Sequence, residues 1–455
     1  MKISFLDDEP EIFPMQYGGK ARTIIALAKY FAKLKNVERV NILSRTIKDK
    51  RDKFKWQGIN FIRLNGYGII RKIVTEANDA DILNVHTSSF TFPYLEGNKA
   101  VVINHLHDVI FATADIGSHL DKAIGGKWDA IIAPSAFAAT VLKNATSWSN
   151  LNERIITIPR AIDSDMFRRV SPKIAYAKIK EFNNALEIKP GSYPIIFFPH
   201  RVNADKGEVF LPKLCSLLSK KYPELLVLAT FDGVDNLKIP NLINLQWVPT
   251  EYMKYFYAIS DLTISLSLLP ESFSQVCLES LACGTPVSCF KFGNLADLSK
   301  KFPAIRSCEP DADDIFSNVV KILKNKKEIQ KDLLISRNII KKENNLKRIA
   351  QIYLSYYGNL LQKKGKQKYE FAWEAKKRGV RYFITPLIAD YGAVVYLYEN
   401  KKLQKFRLNR SEQKILKSCR EAKTLPEIKS KAGIRLSSLK KMLDKLVDLK
   451  IIIQG

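Results

Sequence analysis

Long apolar runs are missing from this 455-residue chain: no stretch approaches the ~18 uninterrupted apolar residues of a membrane-spanning helix. The start meets Asp7 and Asp8 too early to hold the apolar core of a secretory signal, so a cytoplasmic protein is expected. Paired cysteines are missing too. Cys215, Cys277, Cys283, Cys289, Cys308 and Cys419 are scattered, with no Cys-x-x-Cys and no histidine at zinc-finger spacing. They read as small core residues, and neither a metal site nor a disulfide framework is expected. There is no Gly-x-Gly-x-x-Gly and no Walker-type loop, which argues against a dinucleotide fingerprint and a nucleoside triphosphatase. Acidic residues are scarce: 46 Asp+Glu stand against 73 Lys+Arg, a net charge of +27. Such a surface suits an anionic partner, whether nucleic acid, lipid headgroups or acidic peptide. About half the excess lies in residues 366–455, which hold 22 Lys+Arg and nine Asp+Glu.

At 46% hydrophobic residues, the chain is rich enough to bury several cores. Ile3-Ser4-Phe5-Leu6, Val40-Asn41-Ile42-Leu43, Ile59-Asn60-Phe61-Ile62, Ile82-Leu83-Asn84-Val85, Val101-Val102-Ile103 and Ala130-Ile131-Ile132-Ala133 are short β-type runs separated by helical patterns. A second series begins at Ile195-Ile196-Phe197-Phe198. It continues with Leu225–Leu228, Ile243–Leu245, Leu262–Ser265 and Pro286–Cys289. Ile- and Val-rich runs of this length predict buried parallel sheets. The fold class is therefore α/β, with two facing doubly wound Rossmann-like domains and ligands beyond the carboxyl ends of the strands. The expected boundaries are 1–165, with a helix at about 346–362 packing back on it, and 166–345.

A basic run at Lys363–Lys366 reads as a linker to a third, small α+β region, 366–455. Val394–Tyr398 and Leu403–Leu408 flank Glu399-Asn400-Lys401-Lys402 and predict a hairpin. Three helices follow: Ser411–Cys419, Thr424–Ala432 with a Thr424/Glu427 capping box, and Leu436–Leu449, then a strand at Ile451–Ile453. The last helix aligns Leu436, Leu439, Leu443 and Leu446 on one face. The order suggests a winged-helix-like module.

The densest chemistry lies in Pro270–Val287. Glu271 sits in a turn and Glu279 eight residues on in a helix; on one cleft wall, such carboxylates accept hydrogen bonds from vicinal hydroxyls of a sugar or ribose. His200-Arg201-Val202-Asn203-Ala204-Asp205-Lys206-Gly207 follows the first strand of the second series. Arg201 and Lys206 there suit a diphosphate. Gly18-Gly19-Lys20 follows the first strand of all, where a backbone without Cβ lets a phosphate or sugar approach.

These residues, with Asp81…His86, His107-Asp108, Pro134-Ser135-x-Phe137, Pro159-x-x-Ile162-Asp163…Phe167 and Gly284-x-Pro286-Val287, stand in the order of a known family. Over about residues 1–362 the chain resembles retaining glycosyltransferases of family 4, which have the GT-B fold. The resemblance implies a sugar transferred from a nucleotide-diphosphate donor to a peptide, glycan or lipid-linked acceptor with retention, through an oxocarbenium-like transition state, with no metal and no cofactor beyond that donor. It implies that Arg201 and Lys206 neutralise the leaving diphosphate and Glu279 holds the ribose. Glu271 would face the donor sugar, with Phe273 and Ser274 beside it. Gly18 and Gly19 would approach phosphate and sugar, and His107 would contact the sugar. Gly293, Asn294 and Leu295 would bring backbone amides to the donor, while His86 reads as structural.

Departures from the family pattern are Arg160-Ala161 for Asn-Gly, Ser272 for glycine after Glu271, and Thr230-Phe231-Asp232-Gly233 for Gly-Asp-Gly. The family does not require 366–455. That region fits recruitment of a peptide or protein acceptor, docking to a partner, or, less well, nucleic acid contact through Lys440, Lys441 and Lys445. The competing class is a nucleic-acid-binding regulator with a sugar-nucleotide-sensing α/β part. A peripheral membrane enzyme is a third option. Arg45, Lys48, Lys50, Arg51, Lys53 and Lys55 would touch anionic lipid, but Asp49 and Asp52 interrupt them and an ordinary solvated loop is expected.

Overall fold

The computed structural model describes all residues except 8–17, 46–51, 65–74, 76–78, 87–98, 108, 110–128, 146–150, 190, 201–203, 232–237, 365–380, 386–387, 391, 400–401, 421–422 and 455. Arg201, Asp108, Asp232, Gly233, the Lys48–Arg51 cations and the Gly365-Lys366 end of the expected linker lie outside the described residues, while Lys363 and Lys364, expected in that linker, finish the helix Leu346–Lys364. The chain divides into two compact units. One comprises Met1–Ala161, Leu346–Pro386 and Ser411–Gly455, the other Ile162–Asn345 and Leu387–Arg410.

The first unit is built on eight strands: β1 (Lys2–Asp7), β2 (Arg39–Arg45), β3 (Asp52–Trp56), β4 (Ile59–Leu64), β5 (Ile82–Val85), β6 (Val101–His105), β7 (Ala130–Ala133) and β8 (Ile155–Thr157). Their order is β3-β4-β2-β1-β5-β6-β7-β8, all parallel except β3. Every residue of β5 and β7 is buried, which is why their apolar runs do not alternate. The Lys53 and Lys55 stretch, expected as a solvated loop, is the antiparallel edge strand β3. Its lysines face solvent while Phe54 stacks on Phe61 with ring centroids 4.9 Å apart. The helix Leu346–Lys364 buries Ile349, Ala350, Tyr353 and Tyr357 in this unit's core, and the Tyr357 hydroxyl donates to Asn84 Oδ1 at 2.7 Å.

The second unit holds β9 (Ile195–Phe198), β10 (Leu226–Ala229), β11 (Leu242–Asn244), β12 (Leu262–Ser265), β13 (Val287–Phe290) and β14 (Ile305–Cys308). They form an all-parallel sheet of order β11-β10-β9-β12-β13-β14. In both sheets the order reverses once, between β1 and β5 and between β9 and β12. At such a switch point the loops beyond the carboxyl ends diverge and leave a crevice.

The region after residue 380 is divided between the units. Strands β15 (Arg381–Ile384), β19 (Lys423–Thr424) and β20 (Ile452–Gln454) form a sheet of order β19-β15-β20 in the first unit. The hairpin β17 (Val394–Glu399) and β18 (Lys402–Arg407), with β16 (Ile388–Asp390), joins the second unit. There Tyr396 packs on that unit's core and its hydroxyl donates to Glu309 at 2.5 Å. The helices are Arg410–Ser418, Leu425–Ala432 and Leu436–Asp448. Glu427 accepts from the Thr424 N–H at 2.7 Å, the bond a capping box needs. Leu439, Leu443 and Leu446 are fully buried, but Leu436, expected on the same face, is 43% exposed because it begins the helix. Lys445, expected to face solvent freely, reaches inward to the buried carboxylate of Glu412 at 2.6 Å. All six cysteines are free thiols, and no described helix is long and apolar enough to cross a membrane.

Candidate functional site

In the second unit the loops after β9 and β12 meet at the switch point. The Leu268 N–H donates to Asp205 O at 2.8 Å and ties the two loops together. Gly207, at φ +76°, presses against Leu266: an added Cβ would lie 2.1 Å from its carbonyl oxygen, so only glycine fits. This brings Lys206, from the first loop, onto Glu271, from the second. Lys206 Nζ donates to Glu271 Oε1 at 2.7 Å, and Ser267 Oγ donates to the same oxygen at 2.6 Å. Burial opposes charge on Glu271, but the Lys206 ammonium and His200 outweigh it and hold the carboxyl at about 2.

Gly293 and Asn294 complete this cluster. Gly293 sits at φ +54°, where an added Cβ would lie 2.7 Å from Pro270 Cα and 2.8 Å from Glu271 N. The Asn294 N–H donates to Glu271 O at 3.0 Å. Asn294 begins the helix Asn294–Lys301; its side-chain Nδ2 is buried and has no acceptor among the described residues. A buried amide donor left without an acceptor is uncommon. Leu295 is fully buried core.

Ser274 stands at the N-cap position of the helix Gln275–Cys283 without a side-chain capping bond, and Phe273 and Ser274 are both buried. Glu279 lies within that helix, fully buried, and accepts from the Tyr257 hydroxyl at 3.3 Å. Glu271 and Glu279 therefore occupy different environments: one is ion-paired in a loop, the other hydrogen-bonded in the interior.

The first unit has its own switch-point cluster. Asp7 ends β1, and Lys20, in the first turn of the helix Gly18–Phe31, pairs with it at 3.0 Å. Gly18 takes φ +71° at the helix start, and Thr23 Oγ1 donates to Gly19 O at 2.8 Å. His86 follows β5, His107 follows β6 and Arg160 follows β8. The three side chains form a hydrogen-bonded row: Arg160 Nη2 to His107 Nδ1 is 3.0 Å, and His107 Nε2 to His86 Nδ1 is 2.6 Å. His105 stacks on His86 at 4.0 Å and reaches Asn84 Oδ1 at 2.9 Å. Burial, and after it the Arg160 guanidinium, pushes His107 well below the usual imidazole range and His105 to about 3; burial and the two neighbouring imidazoles push His86 well below it as well.

Of the expected residues, the structure brings Lys206, Glu271, Gly293 and Asn294 together in one unit, and places Gly18, Gly19 and His107 in the other. Sequence reasoning passed over Ser267, Tyr257, His86 and Arg160 as site components. For Ser267 a signal existed: it stands two residues beyond the carboxyl end of β12. Among the described residues no group of three or more His, Cys, Asp or Glu side chains is arranged to hold a metal ion.

Residues 180–344 match the family model for glycosyl transferases group 1. Solved structures carry the likeness across both units. Sucrose-phosphate synthase from Thermosynechococcus elongatus is 16% identical with a TM-score of 0.65, covering 80% of this chain and 99% of its own. Anabaena HepE, in complex with UDP and glucose, is 16% identical with a TM-score of 0.61, covering 79% and 100%. A glycosyltransferase from Rickettsia africae is 17% identical with a TM-score of 0.60, covering 79% and 99%. No curated protein matches the chain. The fold is the two-domain α/β fold of GT-B glycosyltransferases, to which the C-terminal elements are added.

Proposed function

We propose that the chain is a retaining, hexosyltransferase-like glycosyltransferase of the family 4 type, working without a resident metal. It moves a sugar from a nucleotide-diphosphate donor to an acceptor. One observation carries the reading: the Lys206–Glu271–Gly293–Asn294 cluster stands at the switch point of the domain that matches the group 1 model. Lys206, with Arg201, balances the negative charge that grows on the leaving diphosphate. Glu271 receives hydroxyls of the donor sugar, and Glu279 those of the ribose. The amides at Gly293–Leu295 meet donor oxygens, and Phe273 and Ser274 shape the wall beside them. In the first unit Gly18 and Gly19 allow close approach, and His107 contacts the sugar. The anomeric bond to the diphosphate breaks as the acceptor oxygen bonds on the same face. The acceptor's proton passes to the departing diphosphate oxygen.

HepE is described in complex with UDP-glucose, which makes UDP-sugars the first donors to test. Residues 366–455 recruit the acceptor, a peptide or protein, or a partner. Thermal-shift titration with UDP-, GDP- and ADP-sugars tests the reading: one class stabilises the wild type, and Arg201→Ala abolishes the shift. Equal shifts in wild type and variant sink the site assignment.

A nucleic-acid-binding regulator is the second reading. One observation favours it: a three-residue turn, with Gly433 left-handed, joins Leu425–Ala432 to Leu436–Asp448, as in a helix-turn-helix. Exposed Asp444 and Asp448 on the second helix oppose phosphate binding. A salt-dependent gel shift by the full chain supports this reading, and no shift at low salt removes it.

A further inference from the structure

Ile329, Leu333, Ser336 and Ile340 form the buried stripe of the helix Lys326–Glu343 in the second unit, and that spacing already supplies the face a packed helix needs. Leu334 and Ile335 stand outside the stripe, 59% and 50% exposed. Single apolar side chains on a surface are ordinary. These two are neighbours, and cations surround them. At about 100° per residue, Lys327, Lys331, Lys341 and Lys342 share the outward arc with Leu334 and Ile335, and all four lysines are exposed. Among the described residues none of the four has an acidic partner. The three carboxylates of the helix are each engaged by a cation from elsewhere. Glu328 and Asp332 both pair with Arg306 of β14, and Glu343 pairs with Lys301 at 2.6 Å. The 18-residue helix therefore presents a ridge about 27 Å long whose uncompensated charges are positive, with an apolar pair at its middle.

We propose that this ridge docks the second unit on a bilayer surface rich in anionic headgroups, with the four lysines at the phosphates and Leu334 and Ile335 at the boundary between headgroups and acyl chains. The negative potential of such a surface draws in exposed lysines, each strengthening binding about fivefold at 25 °C. Their apolar stems lie along the boundary while the ammonium groups stay at the phosphates. Charge alone would suit a nucleic acid or an acidic protein as well. The apolar pair argues against a nucleic acid, because a phosphate backbone offers Leu334 and Ile335 nothing to bury against, whereas the layer beneath lipid headgroups takes both out of water. A protein partner fits less well, because lysine is depleted in protein interfaces and two side chains make a small apolar centre for one. The run Arg45–Lys55, where the sequence suggested lipid contact, is interrupted by Asp49 and Asp52; on this helix the carboxylates are already matched. The proposal does not depend on the chain being a sugar transferase.

The test sediments full-length protein with vesicles of phosphatidylcholine alone and with vesicles in which about one third of the lipid is phosphatidylserine. The wild type is expected to sediment with the second kind only, and to be released as salt is raised. Changing Lys327, Lys331, Lys341 and Lys342 together to glutamine is expected to weaken this binding about a hundredfold or more. The same change at four exposed lysines of the C-terminal region, Lys429, Lys431, Lys440 and Lys441, controls for overall charge and is expected to weaken it less than about tenfold. Leu334→Ser combined with Ile335→Ser is expected to weaken it about fivefold or more while leaving any binding of a short DNA duplex unchanged. All the substituted side chains are exposed, so matching circular dichroism spectra are expected throughout. A wild type that stays in solution with the anionic vesicles, equal losses in the two lysine variants, or a serine variant that binds vesicles like the wild type overturns the proposal. A DNA duplex bound more tightly than the vesicles through the same four lysines also overturns it and assigns the ridge to nucleic acid.

Discussion

Replacing Lys206 by methionine removes the cation from Glu271 while keeping the length of the side chain. In the wild type the pair is 2.7 Å apart, with the Glu271 side chain only 13% and that of Lys206 35% exposed. The carboxyl titrates at about 2 rather than 4.5, although burial alone would raise it. At 1.36 kcal/mol per unit, the depression corresponds to about 3 kcal/mol. The sign follows from linkage. A depressed carboxyl contributes stability that is fully present above its unfolded value near 4.5, and that contribution is lost as pH falls through about 2. Without Lys206, Glu271 becomes a buried carboxylate stabilised by His200 and the Ser267 hydroxyl, and its pKa moves up. The loss at pH 7 is expected to be about 2–3 kcal/mol, below the ~3–5 kcal/mol typical of a fully buried broken pair because Lys206 is part exposed. Urea unfolding at pH 7 and at pH 3.5 measures it. The difference between variant and wild type should shrink markedly at the lower pH. Adding Glu271→Gln to the variant should restore part of the stability at pH 7. A penalty equal at both pH values, or no penalty at pH 7, refutes the electrostatic account and leaves lost packing.

Gly293→Ala should cost about 2 kcal/mol or more in urea unfolding, because the new Cβ meets the Pro270–Glu271 backbone at a φ that disfavours any side chain; wild-type stability would contradict the fit. Burial pushes the Cys215, Cys277 and Cys419 thiols up to about 12, so thiol reagents at pH 8 should label them only after denaturation. Rapid labelling of Cys277 in the native protein would contradict its placement. Leu443→Ala removes a fully buried side chain and should cost about 2–5 kcal/mol, read by thermal unfolding; a loss below 1 kcal/mol would mean that the C-terminal helices do not share a packed core.

The central strands were legible because β1, β2, β5, β9, β12 and β13 are largely buried on both faces and carry short Ile-, Val-, Leu- and Phe-rich runs. The edge strands were not. β3 alternates Lys53 and Lys55 with Phe54 and Trp56, which resembles a solvated basic loop until Phe61 is seen to cover one face. β8 and β14 are short, and β14 carries Arg306 and Ser307. At the site, Lys206, Glu271 and Gly293 could be singled out from their order and spacing. That Lys206 closes on Glu271 could not, since 65 residues separate them and only the switch point between β9 and β12 brings them together. The same holds for Arg160 and His107, 53 residues apart. In sequence Arg160 was only a residue where another was expected. Leu436 was placed on the buried face by helical period, but the helix begins there and the first turn lies beyond the core.

The most direct test of the account is nucleotide release, measured with purified full-length protein and a panel of UDP-, GDP- and ADP-sugars. Wild type should release one nucleoside diphosphate. Glu271→Gln and Glu279→Gln should each lower that rate at least a hundredfold with an unchanged circular dichroism spectrum. Wild type that releases none of the three, or variants that keep the wild-type rate, would contradict the assignment of this site to sugar transfer.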